Sequence, residues 1–288
     1  MPDRYGGCDG TLAELALLFH ALGASGTALP LFGHVAVAGP AILAGGSEAQ
    51  RIEWLPRIAS GEIIASDGYC PDLTVRAGRL SGVARNVPHG RYADLLVVSN
   101  DRETWLVQTA ANGIAVECEN LADPARPLAQ VVFTDAPAVS LDDHASASEA
   151  LHKTGYLALA AEALGGAATA ANLALAMHLL EPTDPRIAAV SDSQRAVLFA
   201  VEPGPRDPTM MRIALHRAKA GASTAYLALA RHLATALGPD NLLGITHLAR
   251  AHGFDRIMGP SAWHLGEVSR LLADEPPRPG TGKIANAS

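Results

Sequence analysis

The chain has 288 residues, of which 49% are hydrophobic and only 5% aromatic, and its formal net charge at pH 7 is −7. This length suits one large domain or two to three smaller lobes, and a core poor in aromatic residues favours tightly packed helices rich in Ala, Leu and Val. The acidic balance, without any run of Lys or Arg longer than two, excludes a general nucleic-acid binder, which would carry a basic patch.

The cysteines and histidines indicate the compartment and the metal chemistry. Cys8, Cys70 and Cys118 share no metal-like spacing, so we expect free thiols in a reducing cytoplasm. His247 and His252 are five residues apart and do not share a helix face, so no metal site is predicted. No charged segment followed by an apolar one opens the chain, which argues against secretion.

Three short helices are predicted in a partial N-terminal helical domain, residues 1–61. Thr11 and Glu14 form a capping-box pattern ahead of the first helix, and Ser47 can cap the third. The apolar residues that follow recur with a helical period. The helices are expected over residues 12–22, 31–43 and 48–58.

Residues 62–139 change to short β-branched segments separated by Gly, Pro, Asn or Asp. Strands spaced about 8–12 residues apart, with turn signals between them, indicate a small β sandwich or barrel. A β domain between two helical parts predicts a mainly α fold with an inserted β domain, in the α+β class. The strands are expected over residues 63–65, 74–77, 80–83, 94–99, 104–108, 113–117 and 130–133.

A nearly all-apolar run over residues 151–180 contains a single carboxylate, Glu162. A helix that is apolar on every side is expected inside a bundle. Since about 20 apolar residues suffice to cross a bilayer, a membrane span is the alternative. The run is rich in Ala and Gly, contains Asn172 and His178, and lacks flanking aromatic residues, so a buried central helix and no membrane contact are predicted.

Residues 140–274 are expected to form a C-terminal helical bundle around that run. A short segment over residues 192–201 precedes a break at Pro203 and Pro205. The tail, residues 275–288, is rich in Pro and Gly and is expected to be loose. Later helices are expected over residues 208–237, 241–251 and 261–273.

Several short motifs stand in order along the chain. They are residues 2–7 (PDRYGG), 46–50 (GSEAQ), 54–56 (WLP), 59–62 (ASGE), 80–82 (LSG), 87–88 (VP), 93–98 (ADLLVV) and 162–166 (EALGG). In this order they resemble the acyl-CoA dehydrogenase family over most of residues 2–180, and residues 211–237 and 257–272 look like the family's later helices. The resemblance is closest to the actinobacterial branch that oxidises bulky acyl-CoA esters, including steroid side chains.

This resemblance implies a fold, a cofactor and an assembly. The fold is an N-terminal helical domain, a middle β domain and a C-terminal four-helix bundle. The family reaction removes the α-proton of an acyl-CoA with a Glu carboxylate and passes the β-hydride to flavin N5 of FAD, so the cofactor supplies the hard chemistry. Family flavin sites usually lie at a subunit interface, which implies homo- or hetero-oligomers.

The chain departs from the family pattern after its central helix. It also begins inside the family's N-terminal domain, so the resemblance implies upstream residues. The family continues with an Arg, a Phe-Gly pair and a Gln, of which the Arg and Gln contact the FAD diphosphate. Here Thr183 stands at the Arg position, Arg186 and Ile187 replace Phe-Gly, and only Gln194 is retained. Gln194 is therefore the candidate cofactor-binding residue, and the alternative is an exposed polar residue at a helix start.

The family's flavin-facing parts of the β domain are altered as well. Residues 66–71 match its Ser/Thr-rich turn but are shortened and lack its Trp, and Trp105 is expected to pack in the β core instead.

The family's glycine-rich turn and catalytic base are also replaced. Only Gly238-Pro239-Asp240 stands at the turn, and Asn241 occupies the position of the catalytic Glu, where a neutral amide cannot take a proton. Asp240 is the candidate shifted base, the alternative being a turn Asp that caps a helix. Glu267 is a further carboxylate, in what resembles a structural terminal helix.

Three functions follow as hypotheses for this bacterial cytoplasmic chain. The first is the degenerate, flavin- and base-poor subunit of a heteromeric complex that α,β-dehydrogenates a bulky acyl-CoA, in which FAD is absent or held only with the partner chain. The second is an active FAD-dependent acyl-CoA dehydrogenase with a relocated base. The third is a non-enzymatic binding or scaffold protein.

Overall fold

The computed structural model describes residues 1–118, 123, 126–202 and 207–273. The chain folds into two compact units, each with its own core. The β unit comprises residues 1–10 and 28–155, and the helical unit comprises residues 11–27 with the residues from 156 onward. The helices are α1 Leu12–Ser25, α2 Gly39–Gly45, α3 Glu48–Ala59, α4 His144–Ala176, α5 Pro185–Val201, α6 Pro208–Leu237, α7 Leu242–Arg256 and α8 Ser261–Leu272.

Two four-stranded sheets form a sandwich in the β unit, which is one of the two alternatives, sandwich or barrel, that the sequence predicts. Their orders are β1-β4-β5-β8 and β2-β3-β7-β6; β1 pairs parallel to β4 and the other pairs are antiparallel. The core between the sheets contains Leu80, Val87, Leu96, Val98, Val107, Val131 and Phe133. The strands are β1 Ala65–Tyr69, β2 Thr74–Arg76, β3 Arg79–Pro88, β4 Leu95–Ser99, β5 Thr104–Gln108, β6 Ile114–Cys118, β7 Leu128–Pro137 and β8 Val139–Ser140.

Strands β3 and β7 are each ten residues long, although the sequence predicts only four residues of each. The pairing of β3 with β7 contains register shifts, one of them between Ala84 and Val87. Asn86, inside that shift, has a positive φ of 55°. A bulge interrupts the alternation of side chains without ending the strand, which explains why periodicity alone misses its second half.

The first and third predicted helices are confirmed together with their capping boxes. Thr11 accepts from the backbone N–H of Glu14, and Ser47 does the same for Gln50. The second differs from the prediction. Residues 32–38 form a π-helical segment, Phe32–Ala38, that continues into α2. In this segment His34 donates through Nε2 to the carbonyl of Ile58 at 2.9 Å and accepts the N–H of Ala65 at 3.0 Å, so one ring joins it to α3 and β1.

The central helix α4 is longer than predicted and begins at His144. It is the one described helix that is long and apolar enough to cross a membrane, yet 78% of its most apolar window is buried inside the protein. Such burial is the property of a core helix, as expected for an apolar helix inside a bundle.

Two glycines let α1 and α4 approach each other backbone to backbone in the helical unit. A Cβ at Gly23 would overlap the carbonyl group of Glu162, and a Cβ at Gly165 would overlap the carbonyl of His20. The neighbouring Gly166 lies against the ring of Tyr226 on α6, which is fully buried. The motif at residues 162–166 is therefore a packing motif, because each glycine leaves space for a neighbouring element.

A buried lysine joins α6 to the last turn of α7 and to the loop that follows it. Lys219 is 0% exposed and donates to the carbonyls of Phe254 at 2.7 Å and Gly259 at 2.9 Å. Nearby, His216 and His264 share an Nδ1···Nδ1 hydrogen bond of 2.8 Å. Because Nε2 of His264 faces the carbonyl of Met258 at 3.2 Å and must donate to it, the shared proton belongs to His216.

Most of the remaining sequence predictions concern residues that the structure describes, and two concern residues that it does not. The segment predicted over residues 192–201 is part of a full helix, α5, which Asp184 caps from outside the predicted range. Helix α6 has the predicted bounds. The three cysteines are free, as expected. The break at Pro203 and Pro205 and the tail 275–288 lie outside the described residues, and the four-part domain division stays a prediction.

We predict that Gly165→Ala lowers the free energy of unfolding by about 2–4 kcal/mol, because a backbone carbonyl on α1 cannot rotate away from the new methyl group. Chemical denaturation monitored by circular dichroism measures this. The matched control is Gly266→Ala on α8, where a Cβ meets open space, so stability should stay unchanged or rise by up to about 1 kcal/mol. Equal effects at the two glycines would contradict the packing role.

Candidate functional site

The start of α5 contains a self-contained ion pair where the resemblance places flavin-binding residues. Asp184 caps the helix by accepting the backbone N–H of Arg186 at 2.9 Å. Its carboxylate also accepts Nε and Nη2 of the Arg186 guanidinium at 2.8 and 2.7 Å. This contact holds the pKa of Asp184 far below its ordinary value. Thr183 is exposed beside the pair. The one guanidinium here is thus neutralised by the residue two positions before it.

Gln194 lies in the middle of α5, not at a helix start as the alternative reading expected. It is exposed. No described residue forms a hydrogen bond with its side chain. Its assignment to the cofactor stays a prediction.

The turn before α7 is closed by its own side chains. Asn241 is the N-cap of α7, and its side-chain oxygen accepts the backbone N–H groups of Leu243 at 3.1 Å and Gly244 at 3.2 Å. Asp240 is exposed in the turn and is not the cap, which corrects the alternative considered for it. A helix N-terminus binds an anion through such N–H groups, and here an amide oxygen already occupies two of them.

Glu267 is neutralised on α8. One of its oxygens, Oε2, accepts from Nε of Arg270 at 2.9 Å and from Nη2 at 2.7 Å. The Glu267 side chain is only 13% exposed and the Arg270 side chain only 5%. The Oε2 atom of Glu267 is thus already paired with a cation of the same helix.

In the β unit, the stretch that resembles the flavin-facing turn, residues 66–71, lies mostly in strand β1 and ends in a tight turn before β2. The N–H of Leu73 donates to the carbonyl of Cys70 at 3.2 Å, so the chain reverses within four residues. Tyr69, the last residue of β1, donates its hydroxyl to Asp101 at 2.6 Å. Trp105 is 9% exposed within the sandwich core, as expected.

Asp67, in the middle of β1, is a titratable residue that sequence reasoning did not single out. The neighbouring residues Ser66 and Gly68 face strand β3 of the other sheet. The hydroxyl of Ser66 donates to the carbonyl of Pro88 at 2.6 Å, and Gly68 lies against Ala84. By alternation, Asp67 lies on the other face of the strand. Its Oδ1 atom is buried and has no hydrogen-bond partner. The signal available in the sequence is the position of Asp67 within residues 66–71, which match the family's flavin-facing turn.

The environment of Asp67 disfavours its charged form. Burial raises its pKa to about 6, and its own backbone N–H and the positive charge of Arg126 oppose this only in part. Arg126 is 8% exposed, and its guanidinium lies over the ring of Phe32 at 5.4 Å from the centroid. A carboxyl group that titrates near neutrality, next to a buried cation, is typical of functional positions.

The comparisons with known proteins agree with the resemblance. Residues 1–62 match the family model for the N-terminal domain of acyl-CoA dehydrogenases. The chain has the acyl-CoA dehydrogenase fold. The mainly α fold with an inserted β domain is thereby confirmed. A search of the curated proteins finds no match.

Solved acyl-CoA dehydrogenases are similar to nearly the whole chain. Glutaryl-CoA dehydrogenase from Mycobacterium smegmatis has a TM-score of 0.77 at 20% identity, with 94% of this chain and 81% of that chain covered. Butyryl-CoA dehydrogenase from Megasphaera elsdenii has a TM-score of 0.77 at 17% identity, with 95% of this chain and 86% of that chain covered. The ChsE4-ChsE5 complex from Mycobacterium tuberculosis has a TM-score of 0.78 at 18% identity, with 96% of this chain and 84% of that chain covered.

The residues at the acyl-CoA dehydrogenase diphosphate positions do not fit an FAD diphosphate. The guanidinium of Arg186 is neutralised by Asp184, and Asn241 occupies two N–H groups at the start of α7. Exposed Asp240 adds a negative charge at the turn. A diphosphate needs donors and positive charge, whereas the described charged groups at these positions are a neutralised guanidinium and carboxylates, and only the neutral amide of exposed Gln194 remains as a donor. Among the described residues, no group of three or more His, Cys, Asp or Glu could hold a metal ion.

We predict that Asp67→Asn stabilises the protein above neutral pH and that the gain disappears in acid. The pKa of Asp67 is about 6 in the folded chain against an ordinary value of 3.8, so folding disfavours its charged form. Stability of the wild type therefore falls as pH rises through this window and is constant above it. The free energy of unfolding of the variant should exceed that of the wild type by an amount that grows between about pH 4 and pH 6, to at most about 3 kcal/mol.

Urea denaturation at several pH values measures this difference. Asp72→Asn, at an exposed aspartate in the turn after β1, is the control and should show no such growth. A gain at Asp67 that is the same at pH 4 and pH 7.5 would show that its carboxylate is not disfavoured by folding.

Proposed function

We propose that this chain is the flavin- and base-poor subunit of a heteromeric acyl-CoA dehydrogenase that α,β-dehydrogenates a bulky acyl-CoA. The observation that carries the proposal is the ion pair of Asp184 with Arg186, at 2.7–2.9 Å, in a chain that has the acyl-CoA dehydrogenase fold. Thr183 replaces the cation at the family's Arg position, and the cation three residues later, Arg186, is paired with a neighbouring carboxylate instead.

The absence of a suitable base at the expected positions supports the same proposal. Asn241 stands where the resemblance places the catalytic Glu, and its oxygen is used as a helix cap. Glu267 is bound to Arg270, and Asp240 is an exposed turn residue. The partner chain would supply the carboxylate that removes the α-proton and the residues that hold FAD.

Similar proteins support an assembly of two related chains. The ChsE4-ChsE5 structure is a complex, and a steroid acyl-CoA dehydrogenase described as Tcur3481-Tcur3483 has a TM-score of 0.79 to this chain at 20% identity. For the present chain, a second subunit of the same fold and a steroid-like acyl group are proposals from this likeness.

Exposed apolar side chains on the helical unit are also consistent with a partner. On α7, Leu242 is 78% exposed and Ile245 is 43% exposed, one helical turn apart. The opposite face of α7 is buried through Gly244, His247 and others. A helix with apolar residues on both faces is expected to be covered on both. We propose the outer face of α7 as part of the contact with the partner chain.

We predict that the chain purified alone contains no FAD and does not oxidise acyl-CoA, whereas co-expression with an acyl-CoA dehydrogenase-like chain encoded beside it gives a complex that does both. Visible absorbance of bound flavin and an acyl-CoA oxidation assay are the measurements. FAD bound to the isolated chain with turnover of acyl-CoA would refute the partner role.

We further predict that Leu242→Glu combined with Ile245→Glu abolishes co-purification with that partner and leaves the chain folded, because two charges would be buried in the interface. Size-exclusion chromatography and circular dichroism measure assembly and folding. Arg217→Glu, at an exposed position of α6, is the control and should leave assembly intact. If the double variant assembles normally, α7 lies outside the interface.

A further inference from the structure

We propose that the imidazole pair of His216 and His264 is a proton-sensitive contact, which holds α8 on α6 only while at least one of the two rings is neutral and releases α8 in mild acid. His216 belongs to α6 and His264 to α8, and they are 5% and 0% exposed. The contact lies within the helical unit and requires neither a flavin nor a partner chain, so it stands apart from the proposed function.

The hydrogen bonds of the pair limit how many protons it can hold. The two Nδ1 atoms are 2.8 Å apart, so one of them must accept and carries no hydrogen. Nε2 of His264 lies 3.2 Å from the carbonyl of Met258, which can only accept, so this nitrogen carries a hydrogen. One added proton leaves an acceptor in the pair. A second one protonates both rings, and two N–H groups then face each other.

Aromatic rings enclose the pair, so the lost hydrogen bond is not replaced by one to water. The ring of Tyr156 on α4 lies 5.1 Å from that of His216 and 4.8 Å from that of His264, between centroids. The ring of Trp263 lies 5.5 Å and 4.9 Å from the same two rings. Two buried N–H groups without an acceptor are unfavourable, and the doubly charged pair also lacks hydration. The closed contact therefore excludes the doubly protonated state.

Nearby charges do not compensate for two imidazolium groups. The ammonium of Lys219 is close, since it donates to the carbonyl of Gly259, next to Met258. The carboxylates are already engaged, because Glu267 accepts from Arg270 and Asp255 accepts from Ser261. Burial raises the pKa of Tyr156 well above its ordinary value, so its phenol stays neutral. The contacts place these titratable or charged groups around the pair: Tyr156 on α4, Arg212 and Lys219 on α6, Asp255 on α7, and Glu267 and Arg270 on α8.

The pair also holds the turn that leads into α8. Met258 has a φ of 55°, an uncommon conformation for a residue other than glycine, and its carbonyl accepts from His264. Such a backbone persists only where surrounding contacts hold it. Opening of the pair therefore loosens both the contact of α8 with α6 and this turn, and α8 is the element expected to open in acid.

Hydrogen–deuterium exchange of the isolated chain measures the opening of α8, by mass spectrometry of its peptides and with correction for the intrinsic pH dependence of exchange. Free imidazoles titrate near pH 6.5. Below about pH 6, the open state takes up two protons and the closed pair at most one. The opening constant of α8 should therefore rise by about ten-fold or more between pH 6 and pH 5.

His264→Asn and His216→Asn are the test variants. Each leaves one imidazole facing an amide, whose oxygen can accept from a protonated ring. The rise between pH 6 and pH 5 should be about ten-fold smaller in each than in the wild type. His232→Gln, also on α6, is the matched control. The ring of His232 contacts the carbonyl of Leu179 through Nε2 at 2.9 Å, where a protonated ring still donates, so the rise should equal that of the wild type.

Circular dichroism at pH 7.5 checks that each variant is folded, and one folded variant of the pair suffices for the comparison. The proposal is overturned if the protection of α8 in the wild type is the same at pH 7.5 and pH 5. It is also overturned if a folded variant of the pair keeps the full rise of the wild type. A merely structural contact would lower the protection of α8 in the variants equally at every pH.

Discussion

The close crossing of α1 and α4 is the constraint on which the helical unit depends. Gly23 and Gly165 each lie against a carbonyl of the other helix, so the two backbones approach without side chains between them. The crossing is reinforced by Thr169, which donates to the carbonyl of Ala24 at 3.1 Å. Small residues at such a contact gain close packing along the whole crossing, and any larger residue must displace a backbone. The Ala-rich composition of the chain serves this geometry.

None of these packing contacts involves the residues that would hold a flavin or remove a proton. The core of the helical unit is formed by residues such as Tyr226 and Gly166, whereas Asp184, Gln194 and Asp240 lie at helix ends or on the surface. Changes at the latter positions therefore leave the fold in place. Because core and site are separate, the proposed change of the diphosphate positions requires no change of the fold.

Most helices could be predicted because their signals are local. Thr11 with Glu14 marks a helix start, and Gly238 marks the end of α6. The π-helical segment at His34 and the long β3 were missed, since each depends on contacts or a bulge that periodicity does not reveal. The family motifs lead to the prediction that flavin-binding positions are altered, but they do not show that Asp184 neutralises Arg186 or that the Oδ1 atom of Asp67 lacks a donor. Those facts depend on side-chain geometry.

The central claim is that the fold persists while the diphosphate positions no longer hold FAD. Thermal unfolding of the isolated chain with and without saturating FAD tests it most directly, since a ligand that binds only the folded state must raise the melting temperature. The account predicts the same melting temperature in both conditions. A rise that increases with FAD concentration would show that the isolated chain binds the cofactor and would contradict it.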